Sequence, residues 1–355
     1  MFRPINQSEF TLALGILEKI RNIIAMRERL LEQGKLQEEV ALPSAFWRII
    51  KLYSYTLNPS YDIVNTWRFH TFPFTGRYLG NAVPCYWRPV PENIKDEYHK
   101  VTARLPDEMI ARPPSMLGEI GWEIDGGLVN EEILVYQNHI RSMYFSGVMD
   151  YIRSKDPIRI LEIGSGYGAL AYFLWKILKP SGYYLVDLPE SLAYSSVYLT
   201  LTSGLGSGII YDGSKSTLLN TPDKGFVFMP NFLVDDLRDA GKFNLIVNTG
   251  SFGEMNKEQV AHYAEVMDSV LADDGIIYEE NGDSADYPII NILDKKFTYL
   301  SFHKNNQNMR LWAKKEDILS KMKIIGDERP SILKTPYTWL LWRIKRTRMK
   351  WRQVR

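Results

Sequence analysis

A buried apolar segment followed by three glycines at alternate positions constrains the fold of this 355-residue chain more than any other feature. The segment, 158–163, is apolar at four of its six positions, which is typical of a parallel strand covered on both faces. Apolar residues then recur at helical spacing over 167–179. Gly164, Gly166 and Gly168 therefore form a strand-to-helix turn, in which a ligand can approach the backbone N–H groups closely.

Two classes of adenosine cofactor bind at such a turn, and the glycines do not separate them. Gly164, Gly166 and Ala169 also satisfy the dinucleotide fingerprint G-x-G-x-x-G/A. Glu162 decides more, because a carboxylate inside a buried strand needs a partner. An acid here suits the methionine end of S-adenosylmethionine and would repel a pyrophosphate. Asp187, at the end of the next strand, suits a ribose in either class. The alternative without a ligand is a tight strand-to-helix turn in which Asp187 caps the next helix.

The residues predicted to bind the cofactor lie at the turn and after the following strands, because ligands of open parallel sheets sit beyond the carboxyl ends of the strands. Two of them are expected at the adenine (231 and 232), and the segment 248–250 is expected near the methionine part. The full set is Glu162, Gly164, Ser165, Gly166, Tyr167, Gly168, Asp187, Leu188, Asn231, Phe232, Asn248, Thr249 and Gly250.

The rest of the chain alternates strand and helix patterns after residue 158, which predicts right-handed βαβ crossovers and a parallel sheet. Segments 297–302 and 309–313 then read as an antiparallel hairpin. The predicted fold is α/β, a Rossmann-like class I methyltransferase sheet of parallel strands plus a terminal antiparallel hairpin, with an N-terminal, mostly helical region. A dehydrogenase would instead continue with a second parallel half. The predicted strands are 158–163, 183–187, 225–230, 243–248 and 275–280.

Three regions are predicted along the chain. Residues 1–117 form a helical and loop region for substrate or assembly, 118–320 the methyltransferase domain, and 321–355 a basic, aromatic tail. Residues 8–34 read as one capped amphipathic helix, whose apolar side is expected to pack internally or to form a dimer contact. A further helix is expected over about 131–152, leading into the strand at 158.

Charge and cysteine content narrow the function classes. The net charge is +1, but seven basic residues lie in 343–355, and the remainder holds 36 basic and 42 acidic residues. A protein with this charge balance lacks the broad basic surface that binds the phosphate backbone, so nucleic acid is not an expected partner. Cys85 is the only cysteine, which fits a reducing compartment. No signal peptide or spanning run is predicted, so the expected location is the cytoplasm.

Six blocks in combination are far more distinctive than the glycine turn. They are Gly118-Glu-Ile-Gly-Trp-Glu-Ile-Asp-Gly-Gly-Leu-Val-Asn130, Tyr136-Gln137, Leu161–Tyr172, Val186–Leu192, Phe226–Phe232 and Asn248–Met255. Together they resemble the sugar O-methyltransferase family over about 118–282. The resemblance implies methyl transfer from S-adenosylmethionine to a sugar hydroxyl in glycan or polysaccharide biosynthesis. Gly253 stands where the family pattern has a histidine, which puts any mechanism through that residue in doubt.

The predicted chemistry requires a base that removes the proton of the acceptor oxygen. Glu254 is the first candidate because it follows the fourth strand on the ligand side, although an acid near a helix N-terminus is also favoured by the dipole. His262 is the second candidate, and a packing role in the following helix is its alternative.

Other polar groups suggest a metal or an acceptor site. Oxygen-rich residues at 279–283 suit Mg²⁺, which some sugar methyltransferases hold in this zone. They form no clear metal motif, however, and a solvated acidic loop is the preferred interpretation. Trp122, Glu123 and Asp125 are candidates for a sugar platform, since an aromatic face with carboxylates suits carbohydrates. A turn built on Asp125-Gly126-Gly127 is the alternative.

The tail 338–355 carries aromatic and basic residues that suit peripheral contact with anionic lipid headgroups. The alternative is a basic tail that packs on the acidic remainder of the protein.

Two further functions remain open from the sequence. One is a Rossmann-type nicotinamide oxidoreductase, and the other is a non-catalytic adenosine-binding scaffold of a glycan-assembly complex.

Overall fold

The computed structural model describes residues 2–75, 89–204, 208–219, 225–282, 287–303 and 306–325. Cys85, Asp283 and the tail 338–355 therefore lie outside the described residues, as does part of the predicted hairpin turn.

The described strands begin with a small hairpin and continue with the strands of one large sheet. They are β1 (Trp122–Ile124), β2 (Gly127–Val129), β3 (Arg159–Ile163), β4 (Gly182–Asp187), β5 (Ile209–Ile210), β6 (Phe226–Pro230), β7 (Phe243–Thr249), β8 (Leu271–Glu280), β9 (Thr298–His303) and β10 (Asn306–Ala313).

The described α-helices are α1 (Gln7–Glu32), α2 (Glu38–Ala41), α3 (Tyr61–Asn65), α4 (Phe72–Thr75), α5 (Glu92–Thr102), α6 (Glu131–Phe145), α7 (Val148–Arg153), α8 (Ala169–Leu178), α9 (Pro189–Ser203), α10 (Lys215–Leu219), α11 (Lys257–Val270), α12 (Ile290–Leu293) and α13 (Ile318–Lys321). Short 3₁₀ helices span Phe46–Leu57, Trp67–His70, Asp107–Met109, Asn231–Asp239 and Phe252–Glu254.

The large sheet has the order β5-β6-β4-β3-β7-β8-β10-β9. Neighbours from β5 to β8 pair in parallel, while β10 pairs antiparallel with both β8 and β9. The strand order reverses at β3, with β4 on one side and β7 on the other, so a crevice for a ligand opens at the carboxyl ends of these three strands. The predicted fold class is confirmed.

The prediction of one continuous helix over 131–152 is wrong, because the structure has two helices there. Gly147 adopts a φ of +80° and divides it into α6 and α7. A Cβ at this glycine would lie 2.6 Å from the carbonyl oxygen of Lys323, so the chain needs both the left-handed backbone and the missing side chain.

Helix α1 packs inside the molecule. Asn6 and Glu9 form a capping box at its start, and its apolar side, which includes Leu17 and Ile20, joins the same hydrophobic core as the sheet and α9. An ion pair of 2.6 Å between Arg27 and Glu190 ties the two helices together. The N-terminal region is thus built into the core that carries the sheet.

A buried ionic network joins the N-terminal region to α6. The guanidinium of Arg68 contacts the carboxylates of Glu119 and Glu132, and Asn130 donates to Glu119 at 2.8 Å. Burial alone would lower the pKa of Arg68, but the two carboxylates raise it above its usual value. The network fixes the start of α6 beside the sheet.

Within the described ranges, none of the helices is both long and apolar enough to span a membrane.

Candidate functional site

A cavity of about 350 Å³ lies at the carboxyl ends of the parallel strands, where the strand order reverses. Ten of the residues predicted from the sequence line it. They are Glu162, Gly164, Ser165, Gly166, Asp187, Leu188, Asn231, Thr249, Gly250 and Glu254.

The glycine turn is held tightly from below. Gly164 has a φ of +78°, and a Cβ on it would lie 2.1 Å from the hydroxyl oxygen of Ser251. Its N–H donates to the carbonyl of Val186 at 2.8 Å, which fixes the turn to β4. Any side chain at position 164 would therefore displace the turn from the cavity wall.

Asp187 organises the same turn from its side. One carboxylate oxygen accepts from the backbone N–H of Gly166 at 2.9 Å, and the other accepts from Leu188 at 2.7 Å. Burial raises the pKa of Asp187 to about 6, against the lowering effect of these hydrogen bonds. The carboxyl group lines the cavity and keeps lone pairs for hydroxyl donors.

Glu162 lies on the cavity wall at 2% exposure. The hydroxyl of Tyr183 donates to it at 2.5 Å, which provides the partner that a buried carboxyl requires. Burial raises the pKa of Glu162 to about 8, while the bond from Tyr183 acts in the opposite direction and nearby Asp187 adds to the rise. A cation placed beside Glu162 would stabilise its ionised form.

Asn231 follows β6 and also lines the cavity. Its Nδ2 donates to the carbonyls of Val40 and Ala41, so it ties the N-terminal region to the sheet. Its Oδ1 is buried and accepts no hydrogen bond from the described residues. That atom is suited to an amino group of a ligand.

Four of the predicted cofactor residues do not line the cavity: Tyr167, Gly168, Phe232 and Asn248. Asn248 is fully buried, and its amide donates to Ile163 and Ser251, so it braces the turn from within the protein. The hydroxyl of Tyr167 donates to Glu132 of α6.

Glu254 faces the cavity from the end of a 3₁₀ helix. Burial raises the pKa of its carboxyl group to about 7, the hydrogen bond from Trp47 lowers it, and Asp187 adds to the rise. A carboxyl group with this pKa exchanges protons near neutrality.

The neighbouring Gly253 packs closely against the backbone. A Cβ at this position would lie 2.7 Å from the carbonyl oxygen of Gly282. The histidine of the family pattern therefore does not fit this chain without a shift of the 282 loop.

His262 and the predicted sugar platform lie elsewhere. His262 pairs with Asp235 at 3.2 Å and is not among the cavity residues. Trp122, Glu123 and Asp125 belong to the β1–β2 hairpin, which is also absent from the lining. Asp125 instead contacts His99 at 3.2 Å, and the positive φ of Asp125 fits the turn interpretation.

One face of α6 forms a further wall of the cavity, which the sequence did not predict. Glu132, Val135, Tyr136 and His139 line the cavity at helical spacing. Glu132 is 3% exposed, and its Oε1 accepts no hydrogen bond from the described residues. The spacing was visible in the sequence, but nothing local shows which face meets the sheet.

His139 and Glu280 form a second candidate for proton transfer. The Nδ1 atom of His139 lies 2.8 Å from Oε2 of Glu280, and Tyr278 also donates to that carboxylate. Both members of the pair line the cavity. A carboxylate that orients an imidazole leaves the other ring nitrogen available for a reacting group.

The N-terminal region closes the cavity from above. Ser44, Trp47 and Phe74 contribute to the lining, and Ser44 donates to the backbone carbonyl of Glu254 at 2.7 Å. The rings of Trp47 and Phe74 lie 5.6 Å apart. No motif in 1–117 pointed to these residues.

The carboxylates at the end of β8 are already engaged in other contacts. Glu279 pairs with Arg310 at 3.3 Å and accepts from Asn281, while Glu280 contacts His139. Across the part of the chain that the structure describes, no cluster of three His, Cys, Asp or Glu residues is arranged to hold a metal ion.

The charge of the cavity is strongly one-sided. Five carboxyl groups line it, and none of its lining residues in the described ranges is Lys or Arg. Glu132 is compensated by Arg68 behind the wall, and Glu280 contacts His139. The other three are Glu162, Asp187 and Glu254, and each has a pKa above its ordinary value. The cavity favours a cation and disfavours a phosphate.

The sequence matches no protein-family model and no curated protein. Solved structures with some similarity include an O-methyltransferase family protein from Burkholderia thailandensis, at 7% identity over 51% of this chain and 58% of that one, with a TM-score of 0.34. Others are the mitomycin 7-O-methyltransferase, at 10% identity over 51% and 56% with a TM-score of 0.33, and the Synechocystis magnesium protoporphyrin IX methyltransferase, at 13% over 65% and 94% with a TM-score of 0.32. Similarities this low do not support an assignment of function, which is therefore inferred below from the chemistry of the cavity.

Proposed function

We propose that this protein is an S-adenosylmethionine-dependent O-methyltransferase that acts on a sugar hydroxyl. The observation that carries the proposal is the cavity beside the glycine turn, with its several carboxyl groups and no Lys or Arg among its described lining residues. This lining suits the ammonium and sulfonium groups of that cofactor. A pyrophosphate at the same turn would meet Glu162 and Asp187 without a described cationic partner.

The chain offers a group for each part of the cofactor. Glu162 would hold the methionine ammonium group, Asp187 would accept from the ribose hydroxyls, and the Oδ1 of Asn231 would accept from the adenine amino group; all three line the cavity. When bound, S-adenosylmethionine supplies a methyl group already activated on sulfur. The protein then has to orient an acceptor oxygen and take its proton.

The wall formed by α6 is the proposed acceptor side. The buried Oε1 of Glu132 needs a hydrogen-bond donor, and a hydroxyl group supplies one. Tyr136 lies next to it on the same face and gives an aromatic surface. These features, together with the six sequence blocks, support a sugar acceptor from a glycan or polysaccharide pathway.

Glu254 is the proposed base, because its pKa of about 7 allows it to take a proton near neutral pH. His139 is a second candidate, favoured by its contact with Glu280. A nicotinamide oxidoreductase is disfavoured by the acidic lining. A non-catalytic scaffold would have no use for a base at the cavity.

The test is methyl transfer from labelled S-adenosylmethionine by the full-length protein. Nucleotide sugars, methyl glycosides and oligosaccharides serve as acceptors, each with and without a chelator. We expect label in a saccharide product and unchanged transfer with the chelator. Binding of the cofactor without transfer to any acceptor would favour the scaffold, and reduction of NAD by a sugar would favour the oxidoreductase.

A further inference from the structure

The 3₁₀ helix Phe46–Leu57 carries an exposed apolar row beside the cavity. A 3₁₀ helix has three residues per turn, so side chains at i and i+3 lie one above the other. Phe46, Ile49 and Leu52 share one row, and Tyr55 continues it after a bend at Tyr53. Because the helical repeat matches the sequence repeat, the first three side chains lie in line, and Tyr55 extends the stripe beyond the bend.

The stripe is the main exposed apolar feature of the described residues. Phe46 is 59% exposed, Ile49 39%, Leu52 75% and Tyr55 43%, whereas Ile50 and Thr56 in the row behind are buried. Elsewhere in the described ranges, the large apolar side chains with similar exposure are Leu12 and Val135. Exposed apolar side chains gathered on one helix mark an interaction surface.

The charge beside the stripe indicates the partner. Arg48 and Lys51 occupy the third row of the helix, and both are exposed. No acidic residue occurs between Glu39 and Asp62. Apolar and aromatic residues with basic neighbours and no acid are typical of a helix that lies in the headgroup region of an anionic bilayer.

We propose that this stripe docks the protein on an anionic phospholipid bilayer. Trp47, on the row behind, lines the cavity, so docking would bring the cavity next to the membrane surface. Resting on the function proposed above, this places the acceptor in the class of saccharides attached to a membrane lipid. The stripe is separate in sequence from the tail 338–355.

The test measures whether one position of the stripe inserts into a lipid bilayer when the full-length protein binds vesicles. Leu52→Cys is combined with Cys85→Ser and labelled with an environment-sensitive fluorophore, and Leu12→Cys in the same background is the matched control. With phosphatidylglycerol vesicles we expect a blue shift at position 52 and none at position 12. With phosphatidylcholine vesicles the shift should be much smaller. Arg48→Gln with Lys51→Gln should weaken vesicle affinity about 30-fold.

An unchanged spectrum at position 52 would overturn the proposal. This holds even if the protein binds vesicles, because binding would then occur through the tail alone. A concentration-dependent shift at position 52 without lipid would instead identify a second copy of the chain as the partner and overturn it as well. Binding of S-adenosylhomocysteine is measured on the same labelled proteins. If the labelled proteins do not bind S-adenosylhomocysteine, the proposed function is contradicted. If they do bind it, the vesicle result tests the membrane proposal independently of the proposed function.

Discussion

The Nδ1 atom of His139 lies 2.8 Å from Oε2 of Glu280, although 141 residues separate the two in the chain. His139 comes from the middle of α6 and Glu280 from the last position of β8. The contact brings an oriented imidazole to a cavity that already holds Glu254. Glu254 and His139 are therefore the two candidates for the proposed base.

Single variants distinguish the two bases. If Glu254 is the base, Glu254→Gln should lower turnover by about 10²–10⁴-fold and change cofactor affinity little. His139→Gln should then have a smaller effect. His262→Gln is the matched control, because this histidine lies outside the cavity. A Glu254→Gln enzyme with wild-type turnover and a His139→Gln enzyme without it would reassign the base to His139.

Cofactor binding should release protons at pH 7. With a pKa of about 8, Glu162 is mostly protonated in the free protein at this pH. A bound ammonium group stabilises the carboxylate, lowers its pKa and releases the proton. Calorimetry in buffers of different ionisation enthalpy should show this release, and Glu162→Gln should reduce it. A binding enthalpy independent of buffer would show that Glu162 does not face the cationic group.

Stability should respond to pH through the same residue. The folded-state pKa of Glu162 lies above its ordinary value, so its contribution is complete below about pH 4.5 and is lost as the pH rises to about 8. Glu162→Gln removes this loss. Relative to wild type, the variant should gain on the order of 3 kcal/mol in the free energy of unfolding between pH 5 and pH 8. Parallel pH profiles from urea denaturation would contradict the burial of an ionisable group here.

The Arg68 network should be costly to break. Arg68→Met leaves Glu119 and Glu132 buried without their cation and should lower the free energy of unfolding by about 3–5 kcal/mol. Lys296→Met is the control, because its pair with Glu265 is partly exposed to solvent and should contribute about 0–1 kcal/mol. Equal, small effects in chemical denaturation would mean that the network does not anchor α6.

The sheet and one half of the cavity could be predicted from the sequence. The glycine turn, Glu162 and Asp187 belong to a local strand-turn-helix pattern, and the rule for open parallel sheets assigns the residues after each strand to the same side. Asn231, Thr249 and Gly250 line the cavity for this reason. These inferences needed periodicity and strand order only.

The opposite half could not be predicted, because it depends on packing between distant segments. His139 has no motif around it, and its partner Glu280 was assigned to an acidic loop or a metal site. Ser44 and Trp47 come from a region without recognisable blocks, which reaches the cavity only because the N-terminal region shares the core of the sheet. His262 was predicted to lie in the helix after the fourth strand, and in the structure it pairs with Asp235 outside the cavity.

Calorimetric titration of the purified protein with S-adenosylhomocysteine, S-adenosylmethionine and NAD tests the proposed function most directly. We expect saturable binding of the first two and none of NAD. Asp187→Ala should weaken that binding at least about tenfold, because it removes a charged acceptor worth about 1.5–3 kcal/mol. Tight binding of NAD with no response to either adenosyl compound would contradict the assignment of this cavity to S-adenosylmethionine.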